Sequence, residues 1–597
     1  MRILMFFVIC ITMAGCSQNS IRTASQDNTV EFNDTIKDLK EFAMQGDAEA
    51  QTLFGILFFE GKDVPQDYKQ AVYWYQKAAE QGNAEAQARL GVMYQYGKGV
   101  SQDDKQAEHW YKKAAEQGFA KAQAVLGMKY QYGEVVSQDD EQAVYWYQKA
   151  AEQGNAEAQA RLGAMYQYGE GVSQDDKQAV HWYKKAAEQG HAGAQNNLGV
   201  MYQFGDGVPQ NDNQAEYWYK KAAERGDATA QTNLGTMYFK GKGVPQDNKQ
   251  AVYWYKEAAK QGISEAQTNL GLMYFQGKGV PQDYKQAAYW LQKAAEQGFV
   301  KAQAVLGTMY QYGEVVSQDD KRAVHWYQKA AEQGNAEAQA RLGVMYQYGK
   351  GVSQDDKQAV HWYKKAAEQW NAEAQARLGV MYQYGKGVSQ DDKQAVHWYK
   401  KAAEQGHAGA QNNLGGMYQF GEGVPQNDNQ AEYWYKKAAE RGDARAQTNL
   451  GVMYQEGIGV PQDDKQAVHW YKKAAEQGQA GAQTNLGVMY EGGRGVLQDD
   501  EQAVHWYKKA AGQEYASAQN NLGMMYRIGR GVPQDDKQAV HWYKKAAAQG
   551  HAGAQSNLGW MYQFGKGVPQ NDNQAEYWYK KAAERGDASA QRNLSVM

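Results

Sequence analysis

Of 597 residues, 43% are hydrophobic and 22% charged, a globular balance that excludes both a disordered tail and a polytopic membrane protein. The 64 Lys and Arg nearly match the 68 Asp and Glu, and a pI near 6.3 gives no global electrostatic drive toward nucleic acid, which is not expected as a partner. Only 8 Pro stand against 64 Gly, 44 Tyr and 17 Trp, a skew expected when one short unit has been copied many times.

The chain opens with Arg2, an apolar run from Ile3 to Met13, then Ala14, Gly15 and Cys16. The run is too short to span a bilayer and reads as a targeting segment, residues 1–15. Small residues directly before a cysteine resemble a bacterial lipobox, in which cleavage leaves the cysteine as an acylated first residue. Met13 stands where that motif more often has Leu. The resemblance implies lipidation at Cys16 and a lipid anchor in the cell envelope; Ser17 rather than Asp after the cysteine implies the outer membrane. Cys10 and Cys16 are the only cysteines, so a mature chain holds no pair to oxidise. Residues 16–29 read as the acylated cysteine and a polar flexible tether, with folded structure expected from about Val30. Residues 30–45 then form a partial repeat, Phe32 to Gln45 having the pattern of a second helix.

From there the chain is periodic. Fifteen tryptophans, Trp74, Trp110, Trp146 and onward to Trp578, recur every 36 residues without insertion or deletion. Fifteen units therefore fill residues 46–585, with a half unit at 586–597 in which Ser595 replaces a repeated Gly. An uninterrupted register predicts one all-α solenoid rather than several domains. In the unit 82–117, Ala84, Ala86, Leu90, Met93 and Tyr94 recur at three- and four-residue spacings and predict a first helix over 84–96. Gly97 should stop it with a left-handed cap. Asp103 is placed to cap a second helix, and Gln106 to reach back and complete a capping box. That cap position is Asp in 12 units and Asn at Asn211, Asn427 and Asn571, all good acceptors. Trp110, Tyr111, Ala114 and Ala115 continue as one buried stripe. The places of Ala86 and Gly91 never vary among the fifteen units, predicting close approach of neighbouring helices with Trp and Tyr filling the space between units.

The pattern from Ala84 to Asp103, Ala-x-Ala-Gln-x-x-Leu-Gly-x-Met-Tyr-x-x-Gly-x-Gly-Val-x-x-Asp, followed by Ala107-x-x-Trp110-Tyr111-x-Lys113-Ala114-Ala115, resembles the Sel1-like repeat, a relative of the tetratricopeptide repeat. The resemblance covers about nine-tenths of the chain. It implies a right-handed superhelix of paired helices whose first helices line a concave groove. It also implies an adaptor that assembles other proteins, often in bacterial envelopes, in signalling or in contact with host cells.

A cysteine-rich branch of that family is associated with β-lactam hydrolysis, but its repeated cysteines are absent here. The sequence also contains no Ser-x-x-Lys, no Gly-x-Ser-x-Gly and no His-Glu-x-x-His, so no nucleophile or zinc motif is recognised. Eight of the eleven histidines, His109, His181, His325, His361, His397, His469, His505 and His541, stand just before the repeat Trp, where other units have Tyr. That slot reads as packing or rim. His191, His407 and His551 follow the unit glycine. Equivalent positions in a solenoid are translated rather than convergent, so they do not build a metal site. Gly97-Lys98-Gly99 lacks the Lys-Ser/Thr of a phosphate loop, and Asp103-Asp104 lacks the alternating ligands of a calcium loop. No catalytic residue, metal or cofactor is expected.

Positions that vary on a constant scaffold are free to read a partner. The place of Val92 becomes Thr236, Leu272, Gly416, Met524 or Trp560; that of Tyr96 becomes Lys240, Gln276, Glu456, Gly492 or Ile528. Tyr96, Tyr132, Tyr168, Phe204, Tyr312, Tyr348, Tyr384, Phe420 and Phe564, with Trp560, are the candidate groove residues. Their rings either form ladders for peptide or sugar stacking or complete packing between repeats. Trp370 and Glu514 replace the unit glycine, where positive φ is expected. The expected function is a non-catalytic scaffold for envelope or host proteins, attached to the membrane by its N-terminal lipid. Peptidoglycan or polysaccharide binding is the alternative, and β-lactam hydrolysis a third reading without a nucleophile motif.

Overall fold

Residues 27–62, 64–134, 137–313 and 318–596 are described by a computed structural model. Cys16 and the targeting segment lie outside them. The described residues form 32 helices and no strand, an α-solenoid in which each unit contributes two antiparallel helices. Contacts divide the stack into two compact units, one ending at Lys293 and one beginning at Ala294, each built in the same way. Helix α1 (Asp27–Met44) starts just ahead of Val30, and Leu39 and Ala43 cover Phe54 and Trp74 as a second helix of a preceding unit would. In the half unit, α32 (Ala588–Val596) lays Ala590 against Ala575, Tyr579 and Ala582.

The unit 82–117 shows how the sequence sets each boundary. Helix α4 (Ala84–Tyr96) is capped by Asn83, whose Oδ1 accepts the Ala86 N–H at 2.9 Å. It ends at Gly97, left-handed at φ 62°, while the Lys98 N–H returns to the Met93 carbonyl at 3.0 Å. The Asp103 carboxylate caps α5 (Asp104–Glu116) by accepting the Gln106 N–H at 3.0 Å. The capping box is only half formed. The Asp103 N–H that Gln106 was expected to serve donates instead to the Tyr94 carbonyl at 3.0 Å. The backbone of the first helix thus takes the side chain's place and ties the turn at both ends.

Packing refines the role expected of Gly91. A Cβ there would stand 2.9 Å from Cδ1 of Tyr111, a ring only 2% exposed whose hydroxyl donates to Gln95 Oε1 at 2.8 Å. The invariant glycine therefore makes room first for a tyrosine of its own unit, and the backbone of the paired helix is close as well, the Ala287 carbonyl lying 3.1 Å from where a Cβ on Gly271 would stand. The one unit lacking that tyrosine has Leu291, again within 2.7 Å of where a Cβ on Gly271 would lie. Between units the tryptophans do fill space as expected: Trp182 is buried against Ala143, Tyr147 and Ala150 of the preceding unit. Trp110 itself is only partly buried.

Trp370 and Glu514 take φ of 65° and 62°, and are the non-glycine residues of positive φ among those described. A Cβ on the equivalent Gly82, Gly118 or Gly334 would meet nothing within 4 Å. Side chains fit there, and only the backbone conformation is unfavourable. Trp370→Gly is accordingly expected to stabilise the protein by about 1 kcal/mol; an unchanged or lower midpoint of urea unfolding would reject the argument.

Candidate functional site

The candidate aromatic residues lie where each first helix runs out. Tyr96, Tyr132, Tyr168, Phe204, Tyr312, Tyr348, Tyr384 and Phe420 are the last residues of their helices, and Phe564 follows the last residue, Gln563. All nine are 54–69% exposed, which excludes the reading that they complete the packing between repeats. They do not form stacked ladders. Among the described residues no ring pair joins successive rungs; at two rungs an arginine of the next unit reaches the ring instead. Arg161 Nη1 donates to the Tyr132 hydroxyl at 2.7 Å, and Arg341 Nη1 to Tyr312 at 2.9 Å. One unit of 36 residues separates the rungs, and at Tyr132 and Tyr312 a guanidinium occupies the gap. Trp560 differs from the others: it is half-buried, 5.0 Å from Phe564, with the Arg527 guanidinium 5.1 Å from its ring.

These rings continue into a polar network crossing three units. Arg161 Nε donates to Glu157 Oε1 at 2.8 Å, and Glu157 Oε2 lies 3.0 Å from His191 Nε2. His191 caps its helix, Nδ1 accepting the Ala194 N–H at 3.1 Å. With Nδ1 an acceptor, the proton sits on Nε2 and is donated to Glu157. The hydrogen bond from His191, with help from Arg161, pulls the Glu157 carboxyl down to about 2 against the cost of burial. Glu373 and His407 repeat the arrangement, and Glu373 is likewise held at about 2, first by His407. The histidines after the unit glycine are thus caps and links between repeats, a role the sequence pattern did not specify. His551 is a cap as well.

The eight histidines of the second helices, and the tyrosines that replace them, point outward. Each stands edge-on to the adjacent Trp at about 5 Å, as in His181–Trp182 and Tyr145–Trp146. A lysine one turn later covers the pair: Lys185 lies 4.7 Å from the Trp182 ring and Lys149 4.4 Å from Tyr145. Partial burial, and secondarily that lysine, hold His181 below the ordinary imidazole value. Among the described residues, no group of three or more His, Cys, Asp or Glu is placed to hold a metal ion.

Beneath this surface runs a relay of glutamines. Gln87 is 3% exposed; its Nε2 donates to the Ala79 carbonyl of the preceding unit at 3.0 Å, and its Oε1 accepts from Gln117 Nε2 at 2.6 Å. Eleven such Gln–Gln bonds span 2.6–2.9 Å. Three units break the pattern because Arg225, Arg441 and Arg585 replace the donor. Their guanidinium groups lie over Gly190, Gly406 and Gly550, and Gln195, Gln411 and Gln555 keep a buried Oε1 with no partner. A cleft of about 430 Å³ opens there, lined by Glu188, Gly190, Gln195, Tyr217, Lys221 and Arg225 among others.

Comparison with known proteins agrees with the periodicity. The Sel1 repeat model matches fifteen consecutive segments, from 48–83 to 552–587. The chain belongs to the Sel1 repeat family. Each Sel1 segment begins at the first helix, two residues out of phase with units counted from the glycine, and all but 336–369, which stops before Trp370, end at the cap of the next. Among solved structures, c5321, a protective antigen present in uropathogenic Escherichia coli strains and displaying an SLR fold, has a TM-score of 0.66 at 39% identity, over 76% of this chain and 97% of that one. A Sel1 repeat protein from Oxalobacter formigenes has a TM-score of 0.44 at 38% identity, over 52% of this chain and 90% of that one. No curated protein sequence gives a significant match. Sel1 repeat solenoids are typical of protein–protein interaction scaffolds, and they are generally non-catalytic.

The outward row of the second helices agrees with the rim reading of the slot before the repeat Trp. One feature of this Sel1 array escaped sequence reasoning. The orphaned glutamines were missed altogether, although the exchange of Gln for Arg after the Ala-Ala-Glu run marks the same units that begin Gly-His-Ala-Gly.

Proposed function

We propose that the protein is a non-catalytic scaffold of the bacterial cell envelope, held by a lipid on Cys16 at the outer membrane, that binds other proteins along the ends of its first helices. The observation that carries this reading is the Tyr96 position. It lies on a scaffold whose Ala86 and Gly91 positions do not vary, carries rings 54–69% exposed in nine units, and changes to Lys240, Gln276, Glu456, Gly492 or Ile528 in others. Exposed aromatic rings, two of them bound by an arginine, suit protein partners, where Tyr, Trp and Arg dominate binding energy. The lipobox resemblance of Ala14-Gly15-Cys16 supports the anchor. The antigenic nature of the similar c5321 supports an envelope setting and envelope or host partners.

The test is crosslinking in intact cells with a photoreactive residue at Tyr168 or Tyr348, compared with the same residue at Tyr217 on a second helix. Specific proteins captured from the first-helix positions and lost in Tyr168→Ala or Tyr348→Ala support the surface. Capture of glycan fragments without protein would reject it in favour of the polysaccharide reading. For the anchor, Cys16→Ser should abolish incorporation of radiolabelled palmitate; retained label would reject lipidation at that residue.

A further inference from the structure

Gln195, Gln411 and Gln555 are 2–4% exposed, and each amide is fixed in orientation. Nε2 donates to the carbonyl of Ala187, Ala403 or Ala547 at 2.9–3.1 Å. The carbonyl oxygen of each side chain must therefore point the other way, where eleven sister units supply a glutamine donor. Here it meets none. A buried acceptor left without a donor is unfavourable, and the chain has this defect in three units that share the same cap histidine and the same arginine. The residue that would have satisfied it is an exposed guanidinium on the lip of the same cleft.

We propose that the cleft beside Gln195 binds extended polypeptide backbone, one residue's N–H donating to Gln195 Oε1 and its carbonyl accepting from Arg225, and that the pairs Gln411–Arg441 and Gln555–Arg585, placed alike, act in the same way. In an extended chain the N–H and C=O of one residue point to the same side, as in strand pairing, and require an acceptor and a donor side by side. Gln195 and Arg225 both line the cleft, and Gln195 Oε1, closed to solvent in the free protein, is uncovered as the peptide enters. Its charges balance, Glu188 and Glu224 against Lys221 and Arg225, which suits a neutral backbone amide and disfavours a free anion. Tyr217, 46% exposed on the cleft wall, gives the side chains of such a peptide an apolar surface. Clefts of similar size recur elsewhere, as beside Trp110 and Gln87 at about 480 Å³, but there Gln117 already occupies the acceptor. This surface is formed by second helices and the N-terminal turn of a first helix, which carries Gln195, and does not depend on the first-helix ends proposed above.

The decisive variant is Arg225→Gln combined with Arg441→Gln and Arg585→Gln. Twelve sister units carry glutamine at this place, so the variant is built from pairs the fold already uses, and its melting temperature should rise. The probe is an array of random octapeptides, acetylated and amidated at their ends, applied to the full chain in detergent. Peptides captured by the wild type should lose at least tenfold in affinity with the triple variant. A single N-methylated backbone amide in a captured peptide should cause a similar loss. Tyr168→Ala with Tyr348→Ala should leave capture unchanged, which separates this proposal from the first-helix surface. Equal capture by wild type and triple variant would overturn it. So would no peptide capture by either, or a crystal structure of the free protein in which Arg225 itself donates to Gln195 Oε1.

Discussion

Gly387→Ala is expected to destabilise the array by roughly 3 kcal/mol, combining positive-φ strain with a contact against backbone that cannot move aside. Gly387 has φ 69°, and a Cβ there would fall on the carbonyl of Asp356, at the start of the preceding unit's second helix. The turn of each unit is seated on the previous unit at this point. The same docking recurs at Gly99, Gly171, Gly207 and Gly423, while the non-glycine residues at this place, Asp63, Val135 and Val315, lie outside the described residues. Gly334→Ala provides the control: its φ of 90° is equally demanding, but a Cβ meets open space, so about 1 kcal/mol is expected. Urea unfolding of both variants gives the comparison, with amide exchange over residues 356–391 locating the damage. Equal losses for the two would show that backbone contact between units contributes nothing.

Tyr399→Ala should cost about 3–5 kcal/mol, the range for emptying a buried aromatic site. The ring is 0% exposed, its hydroxyl donates to Gln383 Oε1 at 2.8 Å, and it lies so close over Gly379 that a Cβ there would stand 2.5 Å from Cδ1. Burial raises the phenol well above its ordinary value, so it remains a neutral donor across the working pH range. Tyr399→Leu is a milder change because Leu291 fills the same position in another unit; roughly 2 kcal/mol is expected, the loss of a hydrogen bond and part of the ring volume. A thermal or urea midpoint for Tyr399→Ala within 1 kcal/mol of the wild type would mean that neighbouring units collapse around the cavity, contrary to the close packing of the stack.

Much of this was written in local order. The 36-residue tryptophan spacing, the Asp103 cap and the Gly97 stop act within one turn of chain, and the structure places the helix boundaries at 84–96 and 104–116 as the pattern predicts. The candidate aromatic positions were legible as variable sites on a constant frame, but their environment was not. Tyr96 and Tyr111 are both tyrosines of one unit; the first is 65% exposed and the second 2%. What separates them is Gly91, twenty residues before Tyr111 in the chain, which opens the space that Tyr111 enters.

By itself the sequence determined the family, the all-helical solenoid, the register and the strained sites at Trp370 and Glu514, because each depends on periodicity or on backbone preference within a few residues. Only the tertiary structure decided that the rungs stand singly, two of them bound by an arginine of the next unit, that Asp103 is tied to the first helix rather than boxed by Gln106, and that three buried glutamines lack a donor. Those outcomes depend on atoms brought together from residues about 10 to 35 positions apart, as in Asp103 with Tyr94, Gln87 with Gln117, and His191 with Glu157. A change from Gln to Arg is conservative in polarity along the chain. Inside the stack it moves the donor away from a buried acceptor, and that difference exists only once the helices are packed.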